Sequence, residues 1–129
     1  MRTRLLPWRL TVVAAAALAG GVAGCSTAPR PPAEVPDGDP ARGAQLIDEL
    51  GCGSCHSVPG VRDADGLVGP PLDHFGSRAY IAGELTNNGS NLQRWIRNPQ
   101  AVEPGTAMPD LGVSEIDARD IAAYLLTLE

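Results

Sequence analysis

Two cysteines three positions apart, followed at once by a histidine, stand near the middle of the chain as Cys52-Gly53-Ser54-Cys55-His56. This run restricts the fold more than anything else in the sequence. Two thiols at that spacing sit on one helical turn and can reach the two vinyl groups of one porphyrin as thioethers. His56 then points its imidazole at the iron from one side. C-x-x-C-H is the attachment pattern of a c-type haem. Rival chemistries fit less well. A zinc site wants four protein ligands, and beyond these three only His74 and carboxylates remain. A thioredoxin-like redox pair wants a βαβ context, and no segment alternates with period two. A disulfide closing so short a loop constrains little chain.

Composition points the same way. Aromatic residues make up 4% of 129 residues, namely Trp8, Phe75, Tyr80, Trp95 and Tyr124. A domain this small has little surface to bury, so a covalent porphyrin would supply the large apolar group that the side chains do not. Three cysteines exclude a disulfide-dense mini-protein. All ten basic residues are Arg, against 15 acidic ones, for a net charge of −5. No nucleic-acid partner is expected, because phosphate contacts need clustered positive charge.

The first 24 residues read as an export signal. Arg2, Arg4 and Arg9 precede an apolar run from Leu10 to Ala19, too short for a confident membrane span of about 20 residues. It ends in Val22-Ala23-Gly24-Cys25. That tetrapeptide resembles the lipobox of bacterial lipoproteins, which implies cleavage before Cys25 and lipidation of its thiol. A plain signal peptide followed by a stray thiol is the alternative. Loss of the three Arg ahead of Cys25 takes the charge from −5 to −8 and leaves 105 residues. Residues 25–38 are expected to be the lipidated Cys and a Pro-rich linker, since Ser26 to Pro40 holds five prolines. Such a stretch is semi-rigid and could reach about 45 Å at about 3.1 Å per residue.

Residues 39–129 form the expected domain, all-α with long loops. Asp39-Pro40 predicts a helix start, with Ala41, Ala44, Ile47 and Leu50 on one face and Gly51 as the stop. Residues 57–76 read as loop. Asn87-Asn88-Gly89 reads as a turn, with Ser90 or Asn91 capping a short helix through Leu92, Trp95 and Ile96. Residues 98–113 again read as Pro/Gly-rich loop. Ser114 and Asp117 predict the cap of a last helix carrying Ile116, Ile121, Tyr124, Leu125 and Leu128. Loops this long in a compact domain need something to hold them. Met108, in Pro104-Gly105-Thr106-Ala107-Met108-Pro109, is the only methionine after the first residue. A thioether suits the iron of an electron-transfer haem, and this loop is a poor place for a core residue. His74 and an open sixth position are the alternatives.

In order along residues 39–128, these motifs resemble the small class I cytochrome c family: Gly43 and Ile47, the C-x-x-C-H, Gly69-Pro70-Pro71-Leu72, Asn91 to Ile96, Asn98-Pro99, Pro104-Gly105, Met108-Pro109 and Ile121 to Leu125. Residues 69–100 are especially similar to the cytochrome c domain of haem-copper oxidase subunit II. Here a lipid anchor and linker are expected in place of that protein's copper-binding domain. The resemblance implies a fold in which N- and C-terminal helices cross, Gly43 and Ile47 against Tyr124 and Leu125, with loops wrapped around one covalent haem c. It implies thioethers at Cys52 and Cys55 and iron ligation by His56 and Met108. It further implies a Pro70 carbonyl holding His56 Nδ1–H, and Leu72 packed on the haem. Arg78 and Trp95 would bond the propionates, unless Arg78 is a solvated surface residue. His74 has a counterpart in the oxidase domain that is not a ligand.

The expected function is one-electron transfer rather than catalysis. The protein would be lipid-anchored on the exported side of a bacterial membrane, the outer membrane included. Its membrane-bound donor and acceptor would present a basic docking patch to the acidic surface. The alternatives are a haem c subunit of a larger oxidase, and a small haem peroxidase with a labile sixth ligand.

Overall fold

The computed structural model describes residues 32–129. The expected signal peptide, the lipidation site Cys25 and the start of the Pro-rich stretch lie outside the described residues.

Helix α1 spans Pro40–Glu49. The Asp39 carboxylate accepts from the backbone N–H groups of Ala41 and Arg42 at 2.9 and 3.1 Å, and Pro40 takes the first helical position, where no N–H is required. Gly51, at φ +71°, follows the Leu50 cap in the left-handed conformation that favours glycine. The buried face is Pro40, Gly43, Leu46 and Ile47, with Ala41 exposed. Of the expected stripe, Ile47 is buried and Leu50 packs against the core, while Ala41 turns outward and Gly43 and Leu46 take its place. The packing partner sets the phase, because Gly43 must face the last helix. Helix α2 covers Gly89–Arg97 and buries Gly89, Leu92 and Ile96. Its cap is Asn88, whose side chain accepts from the Asn91 N–H at 2.9 Å, and neither Ser90 nor Asn91. Asn88 is extended, at φ −155°, while residues 90 and 91 are already helical. A one-turn helix α3, Pro99–Val102, interrupts the stretch expected to be loop. Helix α4 covers Glu115–Leu125. Ser114 caps it, with its hydroxyl accepting from Asp117 N–H at 3.1 Å.

Helices α1 and α4 cross at Gly43. A methyl there would overlap the Asp120 carbonyl oxygen and come within 2.9 Å of Tyr124 Cβ, so hydrogen is the only side chain that permits this approach. The buried core runs through Leu46, Ile47, Leu92, Ile96, Ala118, Ile121 and Leu125. Ile116, expected on the inner face of α4, is 62% exposed. It lies in the first turn, ahead of the crossing.

Two details of this helical fold were not expected. Tyr80–Ile81 (β1) and Leu85–Thr86 (β2) pair antiparallel in a two-residue ribbon, too short to show an alternating pattern. The Pro-rich stretch is also not all linker. Val35 is 2% exposed and seats against Gly89, where a Cβ would lie 2.7 Å from Val35 Cγ2. One apolar side chain among the prolines thus packs on the domain ahead of residue 39, in a slot beside two glycines, Gly38 and Gly89.

Candidate functional site

Cys52–Ser54 form one turn of 3-10 helix directly after Gly51. The Cys52 carbonyl accepts from both the Cys55 and His56 N–H groups, at 3.2 and 3.0 Å. This turn places Cys52, Cys55 and His56 along one wall of a single cavity of about 520 Å³, within the roughly 300–1,000 Å³ usual for bound organic groups. The two cysteines form no disulfide with each other. Burial pushes the Cys52 thiol above its ordinary pKa, so it stays protonated at neutral pH. Among the described residues no group of three His, Cys, Asp or Glu side chains converges as a metal cage.

His56 is fixed from two sides. Its Nδ1 lies 2.7 Å from the Pro70 carbonyl oxygen. A carbonyl only accepts, so Nδ1 carries the proton and Nε2 keeps a free lone pair. The loop that brings Pro70 there is tied back by Gly69 N–H to Cys55 O at 2.8 Å and Leu72 N–H to Ser57 O at 2.8 Å. Gly69 lies flat against the imidazole: a methyl at that position would sit 2.6 Å from Nδ1. Within the preceding loop, Ser57 and Asp65 form an isolated bridge and Val58 is buried at 3%.

The other walls come from distant segments. Leu72, Arg78, Trp95 and Met108 all line the same cavity. The Arg78 guanidinium donates to the carbonyls of Pro71 and Asp73, at 2.5 and 2.8 Å, and lies 5.3 Å over the Phe75 ring. It is half-buried and braces the 70–73 loop, so it is not a freely solvated arginine. Asn87 holds the next turn by donating to the carbonyls of Phe75 and Arg78, at 2.8 and 3.1 Å. His74 is left out: it does not line the cavity, and its side chain is 71% exposed.

Sequence reasoning missed several contributors. Phe75, Ile81 and Leu50 complete the apolar lining, and a lone Phe before Gly76 carried no periodic signal. Gln100 also went unremarked, although it bonds three groups in the Met108 loop.

The donors present suit an iron porphyrin. Two thiols share one turn, an imidazole nitrogen is held ready, a thioether comes from a separate loop, and the walls between them are largely apolar. Comparison with known proteins agrees: the cytochrome c family model matches residues 40–129.

The chain belongs to the cytochrome c family.

Cytochromes c carry haem c, attached covalently and containing iron, and transfer electrons. The crossing helices, single short ribbon and loop-lined cavity are the small cytochrome c fold. The chain is 42% identical over 89 residues to cytochrome c oxidase subunit 2 of Alkalihalophilus pseudofirmus, a match covering 68% of this chain and 25% of the relative. It is 33% identical over 107 residues to cytochrome c of Theileria annulata, covering 75% and 92%. It is 34% identical over 103 residues to cytochrome c2 of Rhodomicrobium vannielii, covering 70% and 79%. The chain thus spans about a quarter of the oxidase subunits it matches and most of the free-standing cytochromes.

Proposed function

We propose that this cytochrome c is a membrane-tethered, mono-haem electron carrier between a quinol-oxidising donor and a terminal oxidase or exported reductase. The observation that carries the reading is the convergence of Cys52, Cys55, His56 and Met108 on one apolar cavity. Cys52 and Cys55 would hold the porphyrin through thioethers to its two vinyl groups. His56 Nε2 and Met108 Sδ would ligate its iron. The iron then supplies one-electron Fe(III)/Fe(II) chemistry.

The chain's own residues do the rest. The Pro70 carbonyl holds the Nδ1 proton, which orients the ring and raises the basicity of Nε2. Leu72 covers a haem face. Arg78 and Trp95 serve the propionates. Arg78 spends one terminal nitrogen on backbone carbonyls and keeps the other for a carboxylate. Exclusion of water by the apolar walls keeps reorganisation small when the iron changes charge.

Export and lipidation at Cys25 would confine the haem near integral-membrane partners on the periplasmic or outer face and raise its effective concentration there. Packing of Val35 leaves nine residues between Cys25 and the first buried side chain, a reach of at most about 35 Å rather than 45 Å. Similarity to oxidase subunit 2 supports a second reading, a haem c subunit working within a larger oxidase.

The test is an oxidised and reduced spectrum of the mature protein, made with the haem-attachment machinery, with a pyridine haemochrome. Bands of a two-thioether haem c, and a far-red Met-to-iron band lost in Met108→Ala, are expected. A preparation without c-type bands would overturn the reading. Replacement of Cys25 by Ser should move the haem protein from the membrane to the soluble fraction. Stoichiometric co-purification with copper and further haems would favour the subunit reading.

A further inference from the structure

We propose that Gln100 is a positioning residue for the sixth haem ligand, its carboxamide acting as the clasp of the loop that carries Met108. The inference rests on Met108 as that ligand. Gln100 sits in α3, anchored by the fully buried Pro99, and its side chain reaches across the loop. Its Nε2 donates to the carbonyls of Thr106 and Met108, at 2.7 and 3.1 Å, and its Oε1 accepts from the Gly105 N–H at 3.1 Å. Both amide protons and the carbonyl are thereby used, and the two carbonyls with one N–H around it fix which way the amide faces.

Little else holds this loop. Thr106 N–H bonds Glu103 O at 3.1 Å, but residues 107–113 make no backbone–backbone hydrogen bond among the described residues. The Met108 N–H reaches only Thr106 Oγ1, at 3.4 Å. A thioether is a weak single-point ligand. If its loop were slack, each Met–iron bond would cost the ordering of several residues. The Gln100 clasp orders the loop beforehand, so the bond resists displacement by competing ligands.

The experiment is imidazole titration of the ferric, haem-loaded protein, with hydrogen exchange at the Gly105 amide as a second readout. Gln100→Ala should bind imidazole about tenfold more tightly than the unaltered protein, since the three hydrogen bonds of this solvent-exposed carboxamide are lost, each of small net worth, and should exchange Gly105 faster. Gln100→Glu separates the two halves of the clasp. It keeps the acceptor for Gly105, whose exchange stays slow, but sets a carboxylate against two carbonyls, so imidazole affinity still rises. Gln93→Ala breaks a comparable side-chain bond to Gly89 O on α2 and should leave imidazole affinity unchanged. An unaltered protein with the far-red band and a Gln100→Ala affinity within twofold of it overturns the clasp alone. An unaltered protein lacking that band, and indistinguishable from Met108→Ala, overturns the ligand assignment and the clasp together.

Discussion

Tyr124 shows how much one side chain can couple. Its ring packs in the α1–α4 crossing, and its hydroxyl donates to the Pro59 carbonyl, tying the C-terminal helix to the loop that follows the C-x-x-C-H turn. Burial pushes its phenol above the ordinary 10.0. The folded state therefore holds this proton to higher pH than the unfolded chain does. The associated stability is complete below about pH 10 and declines as pH rises beyond it. Tyr124→Phe should cost about 1 kcal/mol at neutral pH for the lost hydrogen bond and flatten the alkaline limb, as read by denaturant titration from pH 7 to 11. Gly69 is the second sensitive residue. Gly69→Ala drives a methyl into the His56 ring, so its expected outcome is a loss of about 1–3 kcal/mol together with a shifted ferric spectrum. An unperturbed spectrum would show that the imidazole has room to move. At this scale the cysteines and His56 were legible because their chemistry is local. The Pro70 contact, 14 positions away from His56, came only from family resemblance, since nothing in the residues between them dictates the closure.

Among the elements, the α1–α4 crossing bears the most. Gly43→Ala has no alternative rotamer by which to avoid the Asp120 backbone, so the helices must separate. The expected cost is about 3 kcal/mol, at the upper end of overpacking, despite the better helix propensity of Ala. A thermal melt that matches the unaltered protein would refute close packing there. Asn88→Ala should cost about 1 kcal/mol by removing the α2 cap, whereas Ser90→Ala should be nearly silent. Helix starts were legible at Asp39 and Ser114, where a side chain bonds an N–H two or three residues on. The cap of α2 was misplaced by two or three residues because Asn88, Ser90 and Asn91 are all competent caps and only the backbone angle chooses among them. The ribbon at 80–86 was invisible for a related reason: two residues per strand carry no period.

For the whole molecule, the slot for Val35 ties residues ahead of 39 to the domain. Val35→Ala removes two methyl-sized groups from a buried position and should destabilise by about 2 kcal/mol. A change below a few tenths would return residues 32–38 to the linker. The net acidic surface also predicts that electron transfer to a basic partner slows as salt rises from 10 to 500 mM, roughly the range over which screening shortens from about 30 Å to a few ångströms. A rate that does not change with salt would point to an apolar docking face. Exposed Val68, Tyr80 and Leu111 at the cavity would then form the contact.

What the sequence determined by itself is what neighbouring residues settle between them. Thiol spacing, helix caps at Asp39 and Ser114, the Gly51 stop and the shortage of large side chains all act within a few positions or through composition. Tertiary structure alone decided that Leu46 rather than Ala41 turns inward on α1, that Val35 packs on the domain, how closely Gly43 approaches α4, and how the Met108 loop is held. Each of these depends on groups far apart in the chain, such as Val35 with Gly89 and Gly43 with Asp120, or on an amide reaching over a loop with no pattern of its own. Their energies arise only once packing has brought the partners into contact.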